Sequence, residues 1–149
     1  MYLIALCIFF VVIIGTFMFT SGMSAFFDIP TLIVLISLFI PMMFASGLFA
    51  DFIRAFNIIA TKSKEYTMIE LKKSLTAIQL AIKLILASGL LLSIIGVVAV
   101  LSQLADPSKI GPSLAVVILS VLYTLFTIIL LLPIEYCIKS LLFEREKND

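Results

Sequence analysis

The 149-residue chain has no histidine and no tryptophan, and only 13% of its residues are charged. A soluble domain carries roughly 25% charged residues. Without histidine the commonest metal ligand and general base is missing, so metalloenzyme and catalytic-triad chemistries have no starting point. The two cysteines, Cys7 and Cys137, are far apart in sequence and isolated in apolar surroundings near helix ends. They make neither a disulfide framework nor a metal-ligand cluster. A net charge of +1, with no basic patch interleaved with exposed aromatics, excludes nucleic acid as a partner. No acidic residue lies inside a long apolar run. The chain reads as a non-enzyme with no active site and no cofactor.

Hydrophobicity is what the chain has in abundance: 63% of residues are apolar and the mean hydropathy is +1.30. Soluble domains are typically about 45–50% apolar. A water-soluble fold of this size could not hide so much apolar surface, so the bilayer is the solvent that fits. Four uncharged apolar runs stand out, at about 2–19, 31–50, 84–104 and 113–134. Each matches the roughly 20 helical residues that cross a hydrocarbon core. Backbone groups in lipid must pair within their own segment, and the alternating ten-residue pattern of a barrel is absent. The expectation is an all-α, polytopic membrane domain with four transmembrane helices. The first run lacks a basic flank and is longer than the apolar region of a typical signal peptide, so it reads as a span.

Lysine and arginine set the orientation. Segment 51–83 holds Arg54, Lys62, Lys64, Lys72, Lys73 and Lys83, and the tail 135–149 holds Lys139, Arg145 and Lys147. The link after the third run has only Lys109, and the link after the first has none. The positive-inside rule then puts segment 51–83 and both termini in the cytoplasm, with links 20–30 and 103–112 outside. Both cysteines fall near the reducing side, as free thiols.

Between the second and third runs, 51–60 (DFIRAFNIIA) reads as a short amphipathic helix near the membrane surface, and 61–65 as a turn. Thr67-Met68-Ile69-Glu70 has the spacing of a capping box. Met68, Leu71, Leu75, Ile78 and Ile82 then recur at intervals of three and four, with Lys72, Lys73, Gln79 and Lys83 off that stripe. One helix over 68–104 would be on the order of 55 Å long. Its start must project into the cytoplasm, as a stalk that packs against sister subunits or, alternatively, as a membrane-surface helix with snorkelling lysines. Pro41 should kink the second span. Asp106-Pro107 and Gly111-Pro112 bracket the outer hairpin as boundary signals.

Small and hydroxylated residues gather on the last two runs. Gly89, Ser93 and Gly96 share one face of the third, where Ser102 also lies, and Ser120, Thr124 and Thr127 recur on the fourth. Small residues let helices approach closely, and hydroxyls hydrogen-bond across them. The same hydroxyls could instead line a hydrated ion path, because weak neutral ligands let an ion both enter and leave.

These residues resemble a known family. Gly89-Leu90-Leu91-Leu92-Ser93-Ile94-Ile95-Gly96, then Leu101 to Asp106-Pro107 and Ile110-Gly111-Pro112, is similar to the third-span signature of MotA-type stator subunits. Leu114-Ala115-Val116 and Leu122-Tyr123 look like the fourth-span pattern of that family, Leu132-Pro133-Ile134 matches its inner end, and Asp28-Ile29-Pro30-Thr31-Leu32 resembles its entry to span two. Membership of the MotA/TolQ/ExbB superfamily would imply a bacterial inner-membrane proton channel. The chain would form a homo-pentamer around a MotB/TolR/ExbD-like single-span partner that supplies the membrane acid of a rotary motor. Ser93, Ser120 and Thr124 would face the ion path, with Pro107 near its outer mouth, while Gly89, Gly96 and Tyr123 would pack helices. Ser93 keeps a hydroxyl where the family has threonine, whereas Val121 replaces one, which favours protons over sodium. The large cytoplasmic insertion that pushes on a flagellar rotor is missing, since only segment 51–83 lies between spans two and three. The resemblance therefore points to a compact motor driving another envelope process. A non-conducting membrane scaffold or assembly protein on the same fold is the alternative.

Overall fold

The computed structural model describes residues 8–9, 11–16, 28–61, 66–104 and 107–147, without the side chains of Thr61, Pro107 and Lys109. The described residues are helical apart from short turns, with no strand among them. Helix α1 is seen over 8–9 and 11–16. It is followed by α2 (Ile29–Ala45), α3 (Phe49–Thr61), α4 (Met68–Ser102) and α5 (Pro107–Glu146). Antiparallel α4 and α5 form the most extensive pairing, and α2 and α3 pack onto that hairpin. Both long helices are long and apolar enough to cross a membrane, and the bent pair α2–α3 adds a third crossing if counted as one span. The rest of the four-span expectation, the ends of the first run above all, lies outside the described residues.

The capping box at the start of α4 is present. The Glu70 N–H donates to Thr67 Oγ1 at 3.3 Å and the Thr67 N–H donates to Glu70 Oε2 at 2.9 Å. This pairing holds the Glu70 carboxyl below the usual glutamate range, chiefly through the Thr67 backbone N–H and then its hydroxyl. No proline interrupts the next 35 residues, and α4 runs as one helix of roughly 52 Å.

Helix α5 begins at Pro107 and ends at Glu146, longer at both ends than the apolar run 113–134. Proline at the first helical position needs no N–H partner, which lets the helix start five residues before Pro112. At the other end, Leu131, Ile134, Ile138 and Leu142 continue the core-facing repeat past the apolar run. Helical structure there has a face to bury, so most of the segment read as a tail is helix.

Helix α2 ends at Ala45, short of the expected boundary at residue 50. It runs through Pro41, and the sharp bend comes later. Gly47 adopts φ 70°, its N–H donates to the Phe44 carbonyl at 3.0 Å, and Ser46 Oγ accepts the Leu48 N–H at 3.3 Å. A left-handed glycine just past the last turn ends a helix at little steric cost. The chain there turns through 103° into α3. Helix α3 buries Asp51, Ala55 and Ile58 at helical spacing, and the Asp51 carboxylate pairs with Arg54 one turn along.

The densest core lies at the end of the hairpin away from the α4–α5 turn. Leu71, Ile78, Ala81 and Ile85 of α4 meet Leu131, Ile134, Ile138 and Leu142 of α5, with Met43, Ala55 and Ile58 closing the cluster. Each large side chain buried fully from water contributes about 1.5–3 kcal/mol. The Lys72–Glu146 pair at 3.6 Å is exposed on both sides and marks the antiparallel register more than it stabilises. The centre of the α4 face differs from the Met68–Ile82 stripe. Ser74, Ala77 and Ala81 sit at the contact line, while Leu75 and Ile82 are half-buried flanks. Two helices in close approach leave room for small side chains between them and push larger ones aside.

Candidate functional site

The seam between α4 and α5 collects nearly all the polar side chains of the apolar half of the hairpin. Gly89 lies directly under Thr124: a Cβ on Gly89 would sit 1.8 Å from Thr124 Oγ1. Two turns outward, Gly96 faces Val117, where an added Cβ would come within 2.6 Å of Cγ2. Between them Ser93 Oγ and Ser120 Oγ are 3.0 Å apart.

The hydroxyls also have backbone partners on α5. Ser120 Oγ donates to the Val117 carbonyl at 2.8 Å, Thr124 Oγ1 to the Ser120 carbonyl at 2.7 Å, and Thr127 Oγ1 to the Tyr123 carbonyl at 2.8 Å. Ser120 is fully buried and Thr124 nearly so, while Ser93 is half-buried. The structure thus brings Ser93, Ser120 and Thr124 together with Gly89 and Gly96 on one line inside a single subunit. Pro107 opens α5 beyond the outer end of that line, and its side chain lies outside the described residues.

Tyr123 points elsewhere: its phenolic oxygen accepts the Asp28 backbone N–H at 2.8 Å, which ties the start of α2 to α5. Toward the other end of the seam, Gln79 Nε2 donates to Glu135 Oε1 at 2.9 Å across the two helices. Ser74 and Ser88 complete the buried polar set, and Ser74 Oγ has no hydrogen-bond partner. Sequence reasoning missed these contacts. For Ser74 and Ser88 a signal was available, because Ser74, Ala77, Ala81, Ser88, Gly89, Ser93 and Gly96 trace a small-residue line in steps of three and four, apart from the seven residues from Ala81 to Ser88, where Ile85 intervenes, and the adjacent pair Ser88–Gly89. For Gln79–Glu135 and Asp28–Tyr123 none was, since each joins residues 56 or 95 positions apart.

Among the described residues no group of three or more acidic or cysteine side chains could hold a metal ion. Chemically the seam offers neutral hydroxyls and close backbone approach, and residues 84–104 of α4 and 110–134 of α5 hold no ionisable side chain except the Tyr123 phenol. No protein-family model, curated protein or solved structure matches this chain.

Proposed function

We propose that this chain is the ring-forming subunit of an ion-driven, proton-using motor in the bacterial inner membrane. In this reading it crosses four times with both termini in the cytoplasm. Five copies surround a single-span partner of the MotB/TolR/ExbD type. The observation that carries the reading is the α4–α5 hairpin. The charge-free segments 84–104 of α4 and 110–134 of α5 are zipped by close glycine contacts along one line, while Ile94, Leu101, Ile118 and Leu125 on their other faces are 51–62% exposed. Apolar faces of that breadth call for lipid and neighbouring subunits. The family resemblance of the same residues supports the ring and the partner.

A second reading, a non-conducting membrane scaffold, draws on a specific observation of its own. Ser93, Ser120 and Thr124 find partners within one subunit, which is what helix packing requires and an ion path does not. Proton uptake into vesicles holding the complex with its co-purifying partner separates the two. In the motor, the Ser93→Ala/Ser120→Ala double variant assembles and loses most of its uptake. A variant that assembles and conducts like the parent rejects the path through these hydroxyls. Native mass spectrometry in mild detergent showing only monomers or dimers rejects the ring.

A further inference from the structure

Asp28 stands at the start of α2, where sequence reasoning places it in an outer link. The structure sets it deeper. Tyr123, which accepts the Asp28 N–H, lies ten residues along α5 from Ser113, whose hydroxyl bonds Gln103 at 2.8 Å near the α4–α5 turn. Ten residues of helix are about 15 Å, and the phenol leans back toward the helix N-terminus by a few ångströms. Asp28 therefore lies on the order of 10 Å inside the outer end of the hairpin. Consistently, α2 is only 17 residues long, about 25 Å, yet its Met43 reaches the core cluster around Ile134 and Ile138.

The carboxylate has no ordinary structural use there. Asp28 is the N-cap of α2, but its side chain caps no backbone N–H, and Pro30 removes one of the usual donors. Instead it accepts the hydroxyl of Thr31, which is 4% exposed. No other carboxylate of the described chain lies level with the seam: α1, α2, residues 84–104 of α4 and 110–134 of α5 contribute only Tyr123 as a titratable side chain. Proteins keep a carboxylate at membrane depth for relay or binding, because it is costly to hold there.

We propose that Asp28 is an intramembrane proton-binding site of this chain. The carboxylate takes one proton from water at the outer side and gives the same proton onward to the seam beside Tyr123 and to the partner's acid. No electrons move. For its place in proton flux the inference rests on the motor reading, but proton binding itself does not need the partner.

The experiment is infrared difference spectroscopy of the full chain in lipid nanodiscs across pH, followed by proton uptake with the partner present. The expected result is a carboxyl C=O band at the high frequency of a group shielded from water, missing in Asp28→Asn and shifted in Asp28→Glu; a band at the frequency of a water-exposed carboxyl overturns the proposal. Asparagine still accepts the Thr31 hydroxyl and keeps the N–H to Tyr123, so a merely structural Asp28 predicts no functional change. If Asp28→Asn does not fold, Asp28→Glu alone decides by the band shift. Superimposable parent and variant spectra overturn the proposal. In the complex, uptake should fall about tenfold or more in Asp28→Asn and be largely kept in Asp28→Glu. Unchanged uptake in Asp28→Asn overturns the relay. A parent that conducts nothing overturns the motor reading and leaves the infrared result to decide proton binding.

Discussion

From Leu71 to Ile85 the α4 side of the hairpin buries large aliphatic side chains against Leu131, Ile134, Ile138 and Leu142, with α3 laid across them. From Ser88 to Gly96 the same helix meets α5 chiefly through serine, glycine and threonine; Leu90, Leu91, Ile94 and Ile95 are exposed, and Leu92 is the one large side chain of the stretch that is buried. The two stretches belong to continuous helices and differ in composition. The first extends past the apolar runs into segments that carry Lys72, Lys73, Glu135 and Lys139, and segments that meet water pack by removing apolar surface. The second lies within the apolar runs, and a helix pair in lipid, which is as apolar as leucine, is held by close contact and interhelical hydrogen bonds. On the proposed membrane placement, a single helix pair uses both kinds of adhesion.

The largest expected effect tests the aqueous half. Ile138 is fully buried, and Ile138→Ala should cost roughly 2–5 kcal/mol in reversible unfolding from bicelles. An effect well below that range would mean the inner half also sits in lipid.

Gly89→Ala tests the other half. An added methyl would overlap Thr124 Oγ1 and force the helices apart, at a cost of about 1–3 kcal/mol in the same assay. Pairing it with Thr124→Ala should restore part of the loss, since Oγ1 and Cγ2 are removed while Cβ stays 2.7 Å from the added methyl. No rescue would show that the strain lies elsewhere.

Ser74→Ala should act in the opposite direction. It removes a fully buried hydroxyl with no hydrogen-bond partner, and a gain of about 1 kcal/mol is expected. A loss would reveal a partner for that oxygen. Ser120→Ala is the mirror case in the apolar half, where an interhelical hydroxyl contributes only about 0.6 kcal/mol.

The smallest effect is a pH dependence at the start of α4. Because the Glu70 carboxyl is held below its ordinary range, its contribution is present above the unfolded glutamate range. It fades as pH falls through the folded value. Amide protection factors over residues 69–72, taken against the intrinsic exchange rate at each pH, should fall on acidification, and Glu70→Gln should abolish that dependence while keeping the cap. Acid-sensitive exchange that survives Glu70→Gln would assign it to another group.

Some of this was legible beforehand because it is local. Thr67-x-x-Glu70 specified the α4 start, and the unbroken run after it specified one long helix. The end of α2 was misjudged because Phe49 and Ala50 read as more of the same apolar run, while Gly47 in its left-handed conformation had already turned the chain. The end of α5 was misjudged because Lys139 and Glu144 look like a solvated tail, although Ile138 and Leu142 carry the buried face onward.

Composition alone determined that the chain is helical, apolar and without histidine chemistry, because burial from water and backbone pairing in lipid depend on residue type and run length. It also determined which positions are small enough for close helix contact. Only the tertiary structure decided that Thr124 fills the space over Gly89, that Ser93 meets Ser120, and that the Asp28 N–H meets the Tyr123 hydroxyl. Those facts depend on the rotation and depth of one helix against another. Many side chains far apart in sequence set these jointly, and no local pattern records them.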